Sequence, residues 1–163
     1  MGHDITALIV PEPFDDAVAR EWDVAGVPLG HGLRLVHISD SYVAYQQHQR
    51  GVMTDLDLPN DLPDDFPRGA VLADLAYAVT GRPAVTFALV MTEYFGGVGE
   101  QWAVAFADGR RVAGVADVNG ALEVLGVRAA AGMDAFDTVG LSEQRRAPES
   151  LDRYWDLCKE LGL

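Results

Sequence analysis

An α+β domain, mostly antiparallel sheet with helices packed on one face, is the fold class this sequence predicts. Three observations carry the prediction. Val85, Phe87, Leu89 and Met91 alternate with Ala84, Thr86, Ala88 and Val90, the period-two signature of a strand with a bulky face and a tighter one. Asp108-Gly109 sits between two alternating runs, the strongest short-range hairpin signal in the chain. Residues 70–80 and 148–161 carry apolar side chains at helical spacing.

Taken in order, residues 5–10 read as a buried strand closed by Pro11. Residues 13–24 carry a short helix with Phe14, Val18 and Trp22 at i, i+4 and i+8. Residues 26–32 read as a loop, with three glycines and Pro28. Residues 33–38 form a second strand. Ser39 or Asp40 caps a helix through Tyr42, Tyr45 and Gln49, with a strand as the competing reading. Residues 51–69, with Pro59, Pro63 and Pro67 among five aspartates, form an irregular surface loop. The helix at 70–80 presents Val71, Leu72, Leu75 and Val79 on one face and stops at Gly81.

The central strands meet at a corner, Glu93-Tyr94-Phe95-Gly96-Gly97-Val98-Gly99-Glu100-Gln101. Its glycines permit positive φ, so a bulge or sharp bend is expected, with amides that could converge on an anion. After it, Trp102, Val104 and Phe106 share one face and Ala103, Ala105 and Ala107 the other. A two-residue turn at Asp108-Gly109 pairs Phe106 with Arg111, Val104 with Ala113 and Trp102 with Val115, and puts a cation–π contact between Phe106 and Arg111. The alanine face is too small to be a core alone, so something must approach it closely, most simply a helix. Asp117 caps a short helix with Leu122 and Leu125 inward. Residues 132–141 read as irregular, anchored by Phe136. The closing helix, capped by Ser150, places Leu151, Tyr154, Trp155 and Cys158 on one face.

One domain over residues 1–163 is expected, because a chain of this size buries roughly 68–70% of its unfolded surface. The formal net charge is −13, from 25 acidic against 12 basic residues. No phosphate-neutralising excess exists, which argues against nucleic acid and anionic membrane as partners. A basic protein partner is compatible with it, as is plain solubility. The single cysteine, Cys158, leaves no internal disulfide and points to the reducing cytoplasm. The apolar run at 5–10 is too short for a signal-peptide core, and no run reaches membrane-spanning length.

No complete catalytic motif emerges. The glycine corner lacks the Lys-Ser or Lys-Thr of a phosphate loop and the third glycine of a dinucleotide fingerprint. Asp55, Asp57 and Asp61 resemble a calcium loop only in part, since Asn60 and Phe66 replace the required glycine and glutamate. His3, His31, His37 and His48 show no zinc-pair spacing, and His37 is the one placed in a strand. No metal or cofactor is expected. Glu93 continues the bulky face, so it is expected to be held by backbone amides or by Arg110 or Arg111, serving architecture. As a general base it needs a polar neighbour such as Tyr94, Glu100 or Gln101.

Residues 92–101, 118–127 and 134–141, in this order, resemble a group of small bacterial cytoplasmic proteins, among them immunity proteins of contact-dependent or polymorphic toxin systems. The resemblance covers the last half of the chain and is most specific at the glycine motif. It implies a compact α+β domain without an established catalytic residue. The expectation is therefore a non-catalytic binding protein, an immunity protein that neutralises a toxin. Its candidate contacts are Glu93, Tyr94, Gly96, Gly97, Gly99, Gln101 and the acidic loop residues Asp55, Asp57, Asp61, Asp64 and Asp65. The alternative is a small enzyme or ligand-binding domain with Glu93 and the glycine corner lining a pocket. Self-association as a homo-oligomer is the third reading.

Overall fold

The computed structural model describes residues 2–163. Six strands form one antiparallel sheet in the order β2-β3-β1-β4-β5-β6. They are β1 (His3–Pro11), β2 (Val27–Leu29), β3 (Leu33–His37), β4 (Phe87–Phe95), β5 (Val98–Ala107) and β6 (Arg110–Arg111). The helices are α1 (Asp16–Glu21), α2 (Asp40–Arg50), α3 (Val71–Thr80), α4 (Val118–Val124), α5 (Ala135–Thr138) and α6 (Arg153–Leu161). The α+β class and its antiparallel sheet are as expected.

The helices are not confined to one face. On the first face α1, α2, α3 and α6 bury Trp22, Tyr42, Leu72, Leu75 and Tyr154 against Leu8, Val36, Phe87, Leu89 and Val104. On the second, α4, α5 and the 3-10 turn Leu141–Glu143 cover Ile5, Ala7, Ile9, Ala88, Val90, Ala103 and Ala105. Both faces of β1 and β4 are apolar, so leaving either bare would expose a continuous greasy surface. The alanines of β5 let α4 sit close, as the small side chains required.

Local chemistry explains most boundaries. The Asp15 carboxylate accepts from the amides of Ala17 and Val18 at the start of α1. The Ser39 hydroxyl accepts from Tyr42 N–H, which decides the stretch after β3 in favour of helix, and Asp117 does the same for Gly120. Gly81 closes α3 in the left-handed conformation. In the β5–β6 hairpin Asp108 and Gly109 both have positive φ, and Phe106 faces Arg111 as anticipated.

The long β6 does not form. A turn at Ala113-Gly114 breaks the pairing after Arg111, so Val104–Ala113 and Trp102–Val115 never meet. Trp102 packs on the first face and Val115 on the second. Arg111 lies 3.5 Å from Asp57 rather than over Phe106. Three smaller elements depart from the periodicity. β2 falls inside the expected loop at 26–32, since an edge strand tolerates Pro28 where no ladder amide is needed. α5 is a single turn capped by Asp134. The closing segment breaks into a 3-10 turn, Glu149–Leu151, and α6, with Ser150 capping neither and Trp155 63% exposed.

Candidate functional site

The glycine corner is a hairpin turn. Gly96 and Gly97 form a two-residue connection, both with positive φ, and β4 and β5 run in unbroken register from Phe95↔Val98 to Phe87↔Phe106. This is the turn whose twist suits paired strands. The unbroken register leaves no room for the expected bulge. Gly99 has a separate reason to be glycine. A Cβ there would collide with the Glu93 carbonyl and stand 2.7 Å from Tyr94 Cα. Gly99→Ala is therefore expected to destabilise the protein by about 2–3 kcal/mol through forced movement of β4 backbone. A denaturant midpoint unchanged from wild type would show that the hairpin yields at no cost.

Glu93 is exposed, and among the described residues no hydrogen bond ties its carboxylate to an amide or to Arg110 or Arg111. The expectation of a pinned, architectural acid is wrong. The alternation was read correctly, but helix cover on the first face ends before it reaches Glu93. In register, Glu93 stands directly opposite Asp4 on β1 and Glu100 on β5. Three carboxylates thus lie in one row across three neighbouring strands, on the same face. Like charges directly opposite each other destabilise a sheet.

This row forms one wall of an open cleft of about 940 Å³. Asp40 at the start of α2 and Asp65 from the long loop add two further carboxylates. Phe95, Val98 and Trp102 supply an apolar lip, with Phe95 82% and Val98 79% exposed. Arg145 and Arg146 complete the lining, brought there because Asp4 N–H donates to the Arg145 carbonyl at 2.8 Å and Asp4 bridges to Arg146. Five carboxylates against two guanidiniums leave the cleft acidic. Partial desolvation first, then the charge of Asp65, holds the Asp40 carboxyl above the usual carboxylate range, with Arg68 opposing. Among the described residues no group of three or more histidine, cysteine or acidic side chains is arranged to hold a metal ion.

The other expected contacts scatter. Tyr94 and Gly99 also border the cleft, while the polar ends of Tyr94 and Gln101 serve the second face. Gln101 Nε2 donates to the Tyr94 hydroxyl at 2.7 Å, and its Oε1 accepts from Val118 N–H at 2.8 Å, fixing the start of α4. Asp55 and Asp57 line a separate cavity of about 510 Å³ beside Arg110 and Arg111. Asp61 and Asp64 lie on the exposed loop, and only Asp65 of that loop reaches the cleft. Asp4, Arg145 and Arg146 were not singled out by sequence reasoning, and Asp40 figured there only as a candidate helix cap. Asp4 alternates with buried residues in β1, which marks it as outward-facing, but its neighbour on β4 is set only by the fold.

Two buried histidines stand elsewhere. His3 Nε2 lies 3.0 Å from the Leu141 carbonyl and Nδ1 2.7 Å from Thr92 Oγ1. Because a carbonyl only accepts, Nε2 donates, and in the neutral ring the Thr92 hydroxyl donates to Nδ1. His37, 8% exposed, lines a further cavity of about 720 Å³, and its Nδ1 has no partner among the described residues. Burial holds its imidazole below the ordinary value of 6.5; Gln144 works against the shift and nearby His3 adds to it. The unfolded chain therefore binds this proton more readily. Its contribution to stability is complete above about pH 6.5 and is lost as pH falls toward the folded value. Asp40 has the opposite sign, its cost being relieved as pH falls through its raised value. His37→Gln is expected to flatten the fall in Tm between pH 7 and 5 relative to wild type. Parallel Tm curves for the two proteins would contradict this.

Cys158 is packed and donates to the Ser41 carbonyl at 3.2 Å, and burial pushes its thiol up. No helix among the described residues is long and apolar enough to cross a membrane. No protein-family model, curated protein or solved structure matches the chain.

Proposed function

We propose that this is a non-catalytic cytoplasmic binding protein that receives a basic segment of a protein partner in the acidic cleft, as an immunity protein receives a toxin. The row Asp4, Glu93, Glu100 is the observation that carries this reading. An exposed ladder of like charges costs stability in the free protein, and a cationic partner converts that cost into attraction. The apolar lip offers the hydrophobic contact that charge alone does not supply. The net charge of −13 favours rapid association with a basic surface.

Co-expression with the products of the flanking genes, followed by purification through this chain, tests the reading. A stable basic partner released by salt is expected. No stable partner from either flank would count decisively against it. Glu93→Gln supplies a second check with opposite signs. It removes two facing like-charge pairs, so the free protein should gain about 0.2–1 kcal/mol for each. Partner affinity should fall. A variant that loses stability without losing affinity contradicts the role given to Glu93.

A second reading has one observation in its favour. Asp40, with its raised proton affinity, shares the cleft with ionisable neighbours and with Arg145 and Arg146, an arrangement suited to a small enzyme or ligand-binding domain. Under this reading Asp40→Asn abolishes turnover or ligand binding while leaving the capture of a basic protein intact.

A further inference from the structure

The sheet has an unfinished edge beside the cleft. Phe95 and Val98 flank a two-residue turn and so exchange hydrogen bonds with each other. Alternation along an antiparallel pair then directs the main-chain groups of Glu100 and Trp102 toward β4, and those of Gly99, Gln101 and Ala103 away from it. The parity is fixed at the far end, where the Ala105 carbonyl accepts from Val112 N–H at 2.8 Å. β6 covers only Phe106 and Ala107. Among the described residues no main-chain group pairs with the outward groups of Gly99, Gln101 or Ala103. Gly99 is exposed and Gln101 half-buried, whereas Ala103 is buried, so the accessible stretch centres on residues 99–101.

Exposed edges of this kind are normally blunted by proline, lysine, a bulge or extreme shortness. The opposite edge, β2, has both shortness and Pro28. The free part of β5 has none of these devices. What it has is Glu100, with Val98 and Trp102 two residues to either side on the cleft face.

We propose that the partner adds an extended segment to this edge, continuing the sheet beyond β5. The inference rests on the binding reading above and specifies how the partner is held. Charge decides the occupant. The residue facing Glu100 would extend the row Asp4, Glu93, Glu100 by one strand, and only a lysine or arginine relieves that row. The positions facing Val98 and Trp102 are apolar. The recognised segment is therefore apolar-x-basic-x-apolar, bound by main-chain hydrogen bonds and read at alternate side chains. A second copy of this chain is disfavoured, because a paired β5 would bring another Glu100 to the same acidic wall.

The probe is a blocked seven-residue peptide, Thr-Val-Thr-Lys-Thr-Val-Thr, followed by Trp102 fluorescence or calorimetry on the full chain. In antiparallel pairing centred on Glu100, the two threonines flanking lysine direct their amides to Gly99 and Gln101. N-methylation of those two amides should weaken binding by about tenfold or more, since both main-chain donors are lost. N-methylation of lysine and the valines, whose amides face solvent, should leave binding within about threefold. Glu100→Gln should weaken the unmodified peptide severalfold.

Equal loss from the two methylation patterns, or none from either, overturns the edge pairing. So does failure of the unmodified peptide to bind at millimolar concentration. If a basic partner is nonetheless recovered by co-expression, the cleft reading stands and only the edge pairing falls. A concentration-dependent dimer that the peptide cannot disperse would assign the edge to a second copy and overturn the proposal.

Discussion

Phe87→Ala is expected to lower the unfolding free energy by about 3–5 kcal/mol, the range for truncating a large buried aromatic. Phe87 is 1% exposed. Its ring stacks on Phe106 at 5.0 Å between centroids and meets Tyr77 edge-on at 6.2 Å. The side chain therefore joins β4 to β5 across the sheet and to α3 above it. The loss has two parts: apolar contact removed, and a void that three separate elements cannot close together. Urea denaturation at pH 7 measures it. Phe87→Leu should recover more than half of the loss, because it refills volume without the aromatic pairs. A Phe87→Ala midpoint close to wild type would mean that the first-face core collapses freely around the gap.

Thr92→Val is expected to cost roughly 1–3 kcal/mol although it changes almost no volume, since the buried His3 ring nitrogen is left without its partner. The Thr92 hydroxyl accepts from Ile5 N–H at 3.2 Å and bonds His3 Nδ1 at 2.7 Å. His3 in turn reaches the Leu141 carbonyl. One hydroxyl thus links the first strand, the central strand and the turn after α5. Valine leaves the His3 ring nitrogen buried without a partner, and strips the Ile5 amide of its second acceptor while its ladder pairing with Thr92 remains. Hydrogen exchange at the Ile5 amide should accelerate more than exchange in α3, which lies on the other face. A loss below about 1 kcal/mol would show that a water replaces the hydroxyl.

Both effects arise on β4, the strand whose alternation was plainest in the sequence. Phe87 was placed on the bulky face from spacing alone. The meaning of Thr92 was not legible, because its partner His3 is 89 residues away and nothing local announces the contact. The same division runs through the candidate site. The glycine run was visible as a change of direction, and the turn at Gly96-Gly97 is that change. Glu93 was correctly assigned to the bulky face yet wrongly placed in a dry environment. Alternation reports which face a side chain occupies but not where the covering helices end.

The acidic residues illustrate the limit further. Asp55, Asp57, Asp61, Asp64 and Asp65 form one cluster in the chain, and only Asp65 meets the cleft. The row that does form draws single acids from β1, β4 and β5. Composition could say that acids are abundant; it could not say which of them become neighbours.

From the amino-acid order alone came the α+β class, the hairpin at Asp108-Gly109, the change of direction at the glycine corner, the capped starts of α2 and α4, and the need for something to pack closely on the alanine face. These are decided within a few residues, by backbone conformation and side-chain spacing. The tertiary structure alone decided that helices cover both faces, that β6 stops after Arg111, and that Asp4, Glu93 and Glu100 share a row beside an unpaired edge. Those depend on strand order and register, set by the packing of two apolar layers whose members lie far apart in the chain.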